Sequence, residues 1–125
     1  MIIVIDDERT FKESTPGYVE VLYARNSNEG IAILGKYWAD YVIRYGNRVD
    51  LYLDHDLGEN DTIMPVVDFL YVAGCGGAKN SVGGLTDVIA NIFVHSQNPT
   101  AADKIVPLLA PFYENVKQIP LPELI

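Results

Sequence analysis

The sequence is poor in cysteine, in basic residues and in long apolar runs, and each shortage excludes a class of protein. A single cysteine, Cys75, cannot form a disulfide framework or a cysteine-rich zinc site, so we expect a reducing cytoplasm. Nine lysines and arginines against 17 aspartates and glutamates leave a net charge of −8, which argues against a duplex DNA or long RNA partner. No apolar run approaches the roughly 20 residues that span a bilayer, so no membrane partner is expected either. The opening apolar stretch ends at Asp6, too early for a signal peptide.

The residues that are present favour one globular domain over residues 1–125. Hydrophobic residues make up 49% of the chain, and neither an internal repeat nor a dividing linker is visible. The composition is compatible with a small ligand, a protein partner or a metal ion, and it does not indicate the oligomeric state.

Apolar strand-like segments alternate with helical ones along the chain. Helices are predicted after Asn26, whose spacing from Glu29 resembles a capping box, after Asp61-Thr62, with Pro65 in the first turn, and after Asn98-Pro99. Before the second strand, residues 10–17 allow only a short helical turn. The predicted strands are Met1–Ile5, Tyr18–Ala24, Val49–Leu53, Thr86–Val94 and Val116–Leu121.

This alternation predicts an α/β fold of the flavodoxin-like class. Right-handed crossovers give a parallel, five-stranded sheet of order 2-1-3-4-5 in a three-layer sandwich, covered on both faces. After the fifth strand, little sequence is left for a final helix.

Polar residues follow the three strands that this order places in the centre of the sheet. Asp6-Asp7 follows strand 1, Asp54-His55-Asp56 follows strand 3 and His95-Ser96 follows strand 4. Parallel strands present their carboxyl ends at one edge, where such sheets bind ligands, so we expect these residues to form one site. The glycine-rich residues 74–84 follow a helix, not a strand. They are therefore better interpreted as a mobile surface loop, or as a lid, than as a phosphate-binding loop.

The same residues resemble the receiver domains of response regulators. In receivers the paired aspartates and the strand-3 aspartate hold Mg²⁺, and that aspartate accepts a phosphoryl group that a Ser or Thr after strand 4 senses. Asp6, Asp7, Asp54 and Ser96 occupy those positions. The lysine that receivers carry after strand 5 is absent, since Ile119-Pro120-Leu121 stands in its place.

The more specific resemblance is to the cyclic-phosphate-processing receiver-like family, and it covers essentially the whole chain. Its three motifs occur in order: Asp-Asp-x-Arg (Asp6, Asp7, Arg9), Leu-Asp-His-Asp-Leu-Gly (Leu53 to Gly58) and His-Ser-x-Asn-Pro (His95, Ser96, Asn98, Pro99). The resemblance implies processing of a cyclic phosphate such as a 2′,3′-cyclic nucleotide or an ADP-ribose cyclic phosphate.

Opening a cyclic phosphodiester requires a base, an acid and positive charge that stabilises the negative non-bridging oxygens. His55 and His95, the only histidines, are the predicted acid and base. Asp54 belongs to the same catalytic group, and Asp56 would orient one of the two imidazoles, with nothing to decide which.

The predicted site is strongly acidic and therefore needs a source of positive charge for an anionic substrate. Asp6, Asp7 and Asp54 could bind a divalent metal, Mg²⁺ or Mn²⁺. Alternatively Arg9 and the backbone N–H groups at residues 98–101 form the anion pocket. Ser96 either contacts the phosphate or makes a turn hydrogen bond. Asn98 either caps its helix, which the pattern favours, or contacts the substrate.

We therefore predict a phosphoesterase that takes a small cyclic-phosphate or nucleotide ligand. The alternatives are a non-catalytic receiver-like signalling module, with Asp54 as acceptor, and a degenerate domain that only sequesters a nucleotide.

Overall fold

The computed structural model describes residues 2–7, 21–44, 49–58, 60–77, 88–95 and 99–119. Within these residues it contains five strands and three α-helices. In chain order they are β1 (Ile2–Ile5), β2 (Val21–Ala24), α1 (Ser27–Arg44), β3 (Val49–Asp54), α2 (Met64–Val72), β4 (Ile89–His95), α3 (Pro99–Leu109) and β5 (Asn115–Gln118). The short turn predicted at residues 10–17 and most of the glycine-rich segment lie outside the described residues, as do residues 120–125.

The five strands form one parallel sheet in the order β2-β1-β3-β4-β5, which confirms the predicted topology. The register pairs Ile5 with Leu53 and Asp54 with His95. The central strands β1, β3 and β4 therefore end at nearly the same level, and their carboxyl ends lie side by side.

The two faces of this sheet differ in composition and burial. We call the face covered by the described helices the helix face; its central side chains are aliphatic and at most 1% exposed: Ile3, Ile5, Leu51, Leu53, Ile92 and Val94. Fully burying one such side chain stabilises the fold by about 1.5–3 kcal/mol. We call the opposite side the second face. There the alternating residues of β3 and β4 are partly exposed and polar or aromatic: Asp50, Tyr52, Asn91 and Phe93.

All three described helices contribute to the helix face. A Cβ atom on Gly30 of α1 would lie 2.8 Å from Ile5 of β1 and 3.2 Å from Val66 of α2, so this glycine permits close packing. Ile105 and Leu109 of α3 belong to the same buried cluster. No described helix is long and apolar enough to cross a membrane.

Helix α1 begins as the capping pattern predicts. The side-chain oxygen of Asn26 accepts the N–H of Glu29 at 2.8 Å. The Glu29 carboxylate reaches back one residue further than a capping box requires and accepts the N–H of Arg25 at 2.7 Å. Both bonds satisfy backbone donors near the start of the helix.

The cap predicted for α2 is wrong in part. The helix begins at Met64 with Pro65 in its first turn, as expected, but its N-cap, Ile63, makes no side-chain cap hydrogen bond. Thr62 Oγ1 accepts the N–H of Met64 at 3.2 Å. Asp61 instead bonds to Ser27 at the start of α1, because a carboxylate in this loop reaches a second helix N-terminus.

Other element ends differ by a few residues from the prediction. After Val72 the chain continues as a π-helical turn, Ala73–Gly77, where a Cβ on Gly74 would lie 2.6 Å from the Phe112 ring. Helix α3 continues through Pro107 and ends before Pro111. Strands β4 and β5 begin at Ile89 and Asn115, respectively later and earlier than predicted, and β4 extends to His95.

Candidate functional site

The carboxyl ends of β1, β3 and β4 bring three ionisable side chains together. Asp6 follows β1, while Asp54 and His95 are the last residues of β3 and β4 and pair directly in the register. Strand alternation assigns Asp54 and His95 to the second face, on the same sides of their strands as Tyr52 and Phe93. Asp6 and His95 are completely buried, and Asp54 is 5% exposed. Buried ionisable side chains are uncommon in proteins, and functional sites are one of the places where they cluster.

The imidazole of His95 lies against two carboxylates. Its Nε2 is 3.8 Å from Asp6 Oδ2, and its Nδ1 is 4.0 Å from Asp54 Oδ1. Both distances exceed the 2.7–3.2 Å range of N–H···O hydrogen bonds. They remain short enough for the carboxylates to act strongly on the ring charge in a water-poor setting. The two ring nitrogens therefore face acidic groups on different strands.

Asp7 joins Asp6 and Asp54 in a carboxylate cluster. One oxygen from each residue lies within 4.8 Å of one oxygen from each of the others. Asp7 is partly exposed, so the cluster reaches the surface on that side. Three ionised carboxylates at this spacing repel one another unless protons or a cation intervene. Oxygen donors alone are the ligand set that Mg²⁺ and Mn²⁺ prefer, so the cluster fits a hard divalent cation.

A loop that includes the described residues 55–58 and 60–63 follows β3 beside this cluster. His55 donates its backbone N–H to the carbonyl of His95 at 3.3 Å, and its own carbonyl accepts the N–H of Ile63 at 2.9 Å. Gly58 adopts a left-handed φ of 99°, and a Cβ there would lie 3.5 Å from Asp7 Oδ2. Gly58 therefore allows the turn, and it brings the loop backbone close to the Asp7 carboxylate.

The end of this loop is fastened to helix α1. Asp61 accepts the backbone N–H of Ser27 at 2.8 Å and the hydroxyl of Ser27 at 2.7 Å. The hydrogen bond from the Ser27 hydroxyl is the main cause that lowers the pKa of Asp61. We call this contact the Asp61–Ser27 clasp. The two residues lie far apart in sequence, so local patterns carried no signal for it.

The other predicted catalytic residues stand at the start of the loop. The side chain of His55 is partly exposed and is not part of the carboxylate cluster. Asp56 is exposed, and its Oδ1 accepts a long, 3.4 Å hydrogen bond from the N–H of Gly58. The acid–base and orienting roles predicted for these residues stay predictions. Arg9, Ser96 and Asn98 lie outside the described residues, and so do their predicted substrate contacts.

Arg25 is a residue near the site that the sequence reading missed. It follows β2, and its Nη1 donates to the backbone carbonyl of Asp6 at 3.1 Å. Its guanidinium also lies 5.0 Å from the centre of the Tyr23 ring. The guanidinium is thus a partly exposed cation at the carboxyl edge of the sheet. The sequence feature that could have indicated Arg25 is its position as a basic residue directly after β2, the strand that pairs with β1.

Comparison with known proteins agrees with this geometry. A family model described as the cyclic-phosphate processing receiver domain matches residues 1–111. Searches of curated proteins and of solved structures found no match. The matched region includes all three motifs and the strands β1, β3 and β4 whose ends form the carboxylate cluster and its histidine. The chain therefore belongs to the cyclic-phosphate processing receiver domain family.

Proposed function

We propose that the protein hydrolyses a small cyclic phosphate ester, of the 2′,3′-cyclic nucleotide or ADP-ribose cyclic phosphate type. The observation that carries this proposal is the buried His95 between Asp6 and Asp54, next to the carboxylate cluster. Strand ends with a purely structural role do not require a buried imidazole between two carboxylates. The family's link to cyclic-phosphate processing supports the same substrate class.

Asp6, Asp7 and Asp54 would hold a divalent cation of the Mg²⁺ or Mn²⁺ type, since they offer only oxygen donors at close spacing. Such an ion, when bound, supplies positive charge that stabilises the non-bridging phosphate oxygens. The remaining chemistry belongs to the side chains of the chain itself.

The proton transfers are assigned to the two histidines. One imidazole takes a proton from water as the water oxygen attacks phosphorus, and one P–O bond of the ring breaks. The other imidazole gives a proton to the departing ribose oxygen, so the product is a phosphomonoester. Carboxylates beside an imidazole orient it and stabilise its protonated form. His55 and His95 divide the acid and base roles between them, and Asp56 is the proposed orienting partner of one of the two.

Anionic substrate needs cationic or N–H contacts besides the metal. Arg9, Ser96 and Asn98 are the contacts that the family motifs imply. Arg25 adds a guanidinium at the same edge, fixed by its bond to the Asp6 carbonyl. Together these groups offset the excess of carboxylates around the phosphate.

Steady-state hydrolysis of a 2′,3′-cyclic nucleotide tests the assignment. His55→Ala and His95→Ala are each expected to lower kcat by about 10²–10⁴-fold, the range for loss of a general acid or base. Thermal unfolding checks that each variant still folds. Asp68→Asn, which removes an exposed carboxylate on α2, is the control and should leave kcat unchanged. Full activity in either histidine variant overturns its assignment.

A receiver-like signalling module is the second candidate, because the Asp6, Asp7 and Asp54 cluster matches the arrangement that receivers use for Mg²⁺ and phosphoryl transfer. In that case Asp54 accepts a phosphoryl group from acetyl phosphate, and Asp54→Asn abolishes the labelling. Labelling without any hydrolysis of cyclic phosphates would favour this candidate over the enzyme.

A further inference from the structure

The second face carries an aromatic cluster beside the candidate active site. Tyr52 of β3, Phe93 of β4 and Lys117 of β5 are neighbours in the strand register. The two ring centres lie 4.7 Å apart at an interplanar angle of 31°, and Lys117 Nζ lies 5.6 Å from the centre of the Phe93 ring. Both rings are partly exposed and Lys117 is exposed. We call these three side chains the aromatic platform.

The platform is aligned with the residues of the proposed phosphate site. Tyr52 lies two residues before Asp54, and Phe93 lies two residues before His95, on the same strands and the same face. Two residues along a parallel strand span about 6.6 Å. A ligand whose phosphate sits at the carboxylate cluster, beside these strand ends, would therefore place a group one sugar away over the Tyr52 and Phe93 rings.

The composition of the second face also differs from ordinary core. On the helix face, the neighbouring positions Leu51, Leu53 and Val94 are aliphatic and completely buried. Asp50 and Asn91 lie two residues before Tyr52 and Phe93 on the same strands, and the side-chain amide of Asn91 donates to Asp50 Oδ1 at 2.7 Å. The aromatic platform therefore ends at a polar pair in that direction. Flat, partly exposed rings with a cation nearby are the surface on which proteins stack nucleobases.

We propose that Tyr52 and Phe93 form the base-stacking half of a nucleotide site whose phosphate half is the carboxylate cluster of Asp6, Asp7 and Asp54, which would hold the cation. The inference rests on the proposed function and narrows its substrate class to 2′,3′-cyclic nucleotides, in which the nucleobase lies one sugar away from the cyclic phosphate. The base lies against the exposed surfaces of the rings, and Lys117 adds positive charge next to an anionic ligand.

Kinetics on matched substrates test the platform directly. Adenosine 2′,3′-cyclic phosphate is compared with 1-O-methylribose 2,3-cyclic phosphate, which lacks the base. Stacking on an aromatic side chain should give the nucleotide at least a tenfold advantage in kcat/KM. Phe93→Leu and Tyr52→Leu should reduce that ratio about tenfold, chiefly through KM, whereas Tyr52→Phe should preserve it. Tyr71→Leu, which removes an exposed ring on α2, is the matched control and should leave the ratio unchanged.

Binding of AMP and ribose 5-phosphate by calorimetry separates this inference from the proposed activity. Tighter binding of AMP that Phe93→Leu removes, without hydrolysis of any cyclic phosphate, supports the platform and overturns the enzyme. Hydrolysis with equal rates for both substrates overturns the platform alone. If AMP binds no more tightly than ribose 5-phosphate and no cyclic phosphate is hydrolysed, both the platform and the proposed activity are overturned.

NMR on the unmodified protein covers the case in which the leucine variants fail to fold. The adenine protons of bound AMP should shift upfield and receive saturation from aromatic protons, and absence of both effects contradicts stacking. Sedimentation tests a different occupant of the same face. A dimer that dissociates in Phe93→Leu would identify the platform as an interface between copies and would overturn the nucleotide site.

Discussion

The helix face and the second face are built from the same strands, yet their side chains differ in burial and in role. Along β3, Leu51 and Leu53 are completely buried against the helices, whereas Asp50 and Tyr52 are partly exposed on the other side. Strand alternation separates the two sets of side chains, because successive side chains point to opposite faces, and the described helices bury one of the two sets. The helix face supplies stability. On the second face Val4 of β1 is also buried, but β3 and β4 carry partly exposed polar and aromatic side chains there, and ionisable side chains occupy the strand ends above them.

The largest effect on stability should come from truncation on the helix face. Leu53→Ala removes a fully buried side chain and should lower the free energy of unfolding by about 2–5 kcal/mol. Tyr52→Leu, one residue earlier on the second face, should cost no more than about 1.5 kcal/mol. Urea denaturation of both variants measures the difference. Equal losses would contradict the division of the sheet into a stabilising face and a binding face.

A divalent cation should stabilise the protein through the second-face strand ends. If the carboxylate cluster binds Mg²⁺ or Mn²⁺, an ion concentration of 100 Kd adds about 2.7 kcal/mol and raises the Tm by several degrees. Asp54→Asn should abolish this rise because it removes one of the clustered oxygens. Asp68→Asn keeps the cluster and should retain it. An unchanged Tm in the native protein at millimolar metal argues against the ion site.

The strand ends were predictable from the sequence, whereas the difference between the two faces was not. The strand order and the polar ends of β1, β3 and β4 were predictable, because apolar runs and crossover rules place Asp6, Asp54 and His95 at one edge. The split between faces was harder to foresee. It depends on which side of each strand the helices cover, and a short apolar run such as Ile89–Val94 does not reveal this.

Contacts between distant loops were not predictable either. Asp61 was expected to cap α2, yet its carboxylate bonds to Ser27, because the folded loop brings it to a nearer pair of donors on α1. The bond of Arg25 to the Asp6 carbonyl is of the same kind. Each depends on the three-dimensional course of a loop, which residue spacing does not encode. Gly74, in the π-helical turn after α2, likewise packs closely against Phe112, which lies far from it in the sequence.

A smaller effect should come from the Asp61–Ser27 clasp, which joins the loop after β3 to the start of α1. Asp61→Ala should lower the free energy of unfolding by about 1 kcal/mol, since charged hydrogen bonds near the surface are screened by water. The folded state lowers the pKa of Asp61 below its usual value of 3.8, chiefly through the Ser27 hydroxyl. The stabilisation is therefore complete above that usual value and is lost as the pH falls through the lowered pKa.

Urea unfolding of the native protein and of Asp61→Ala, from neutral pH down to pH 3, measures this dependence. The stability difference between the two should shrink as the pH falls. Ser27→Ala should reproduce part of the loss at neutral pH, because the backbone N–H of residue 27 still donates to Asp61. A difference that stays constant with pH would show that the Asp61 carboxylate contributes nothing through its charge.

Phosphorus NMR of the protein with a 2′,3′-cyclic nucleotide and Mg²⁺ or Mn²⁺ tests the central claim most directly. The account predicts that the cyclic-phosphate signal is replaced by that of a phosphomonoester, and that His95→Ala stops the conversion while the protein stays folded. A cyclic-phosphate signal that persists unchanged with the native protein, whichever ion is present, would contradict the proposal that this strand-end cluster is a hydrolytic site.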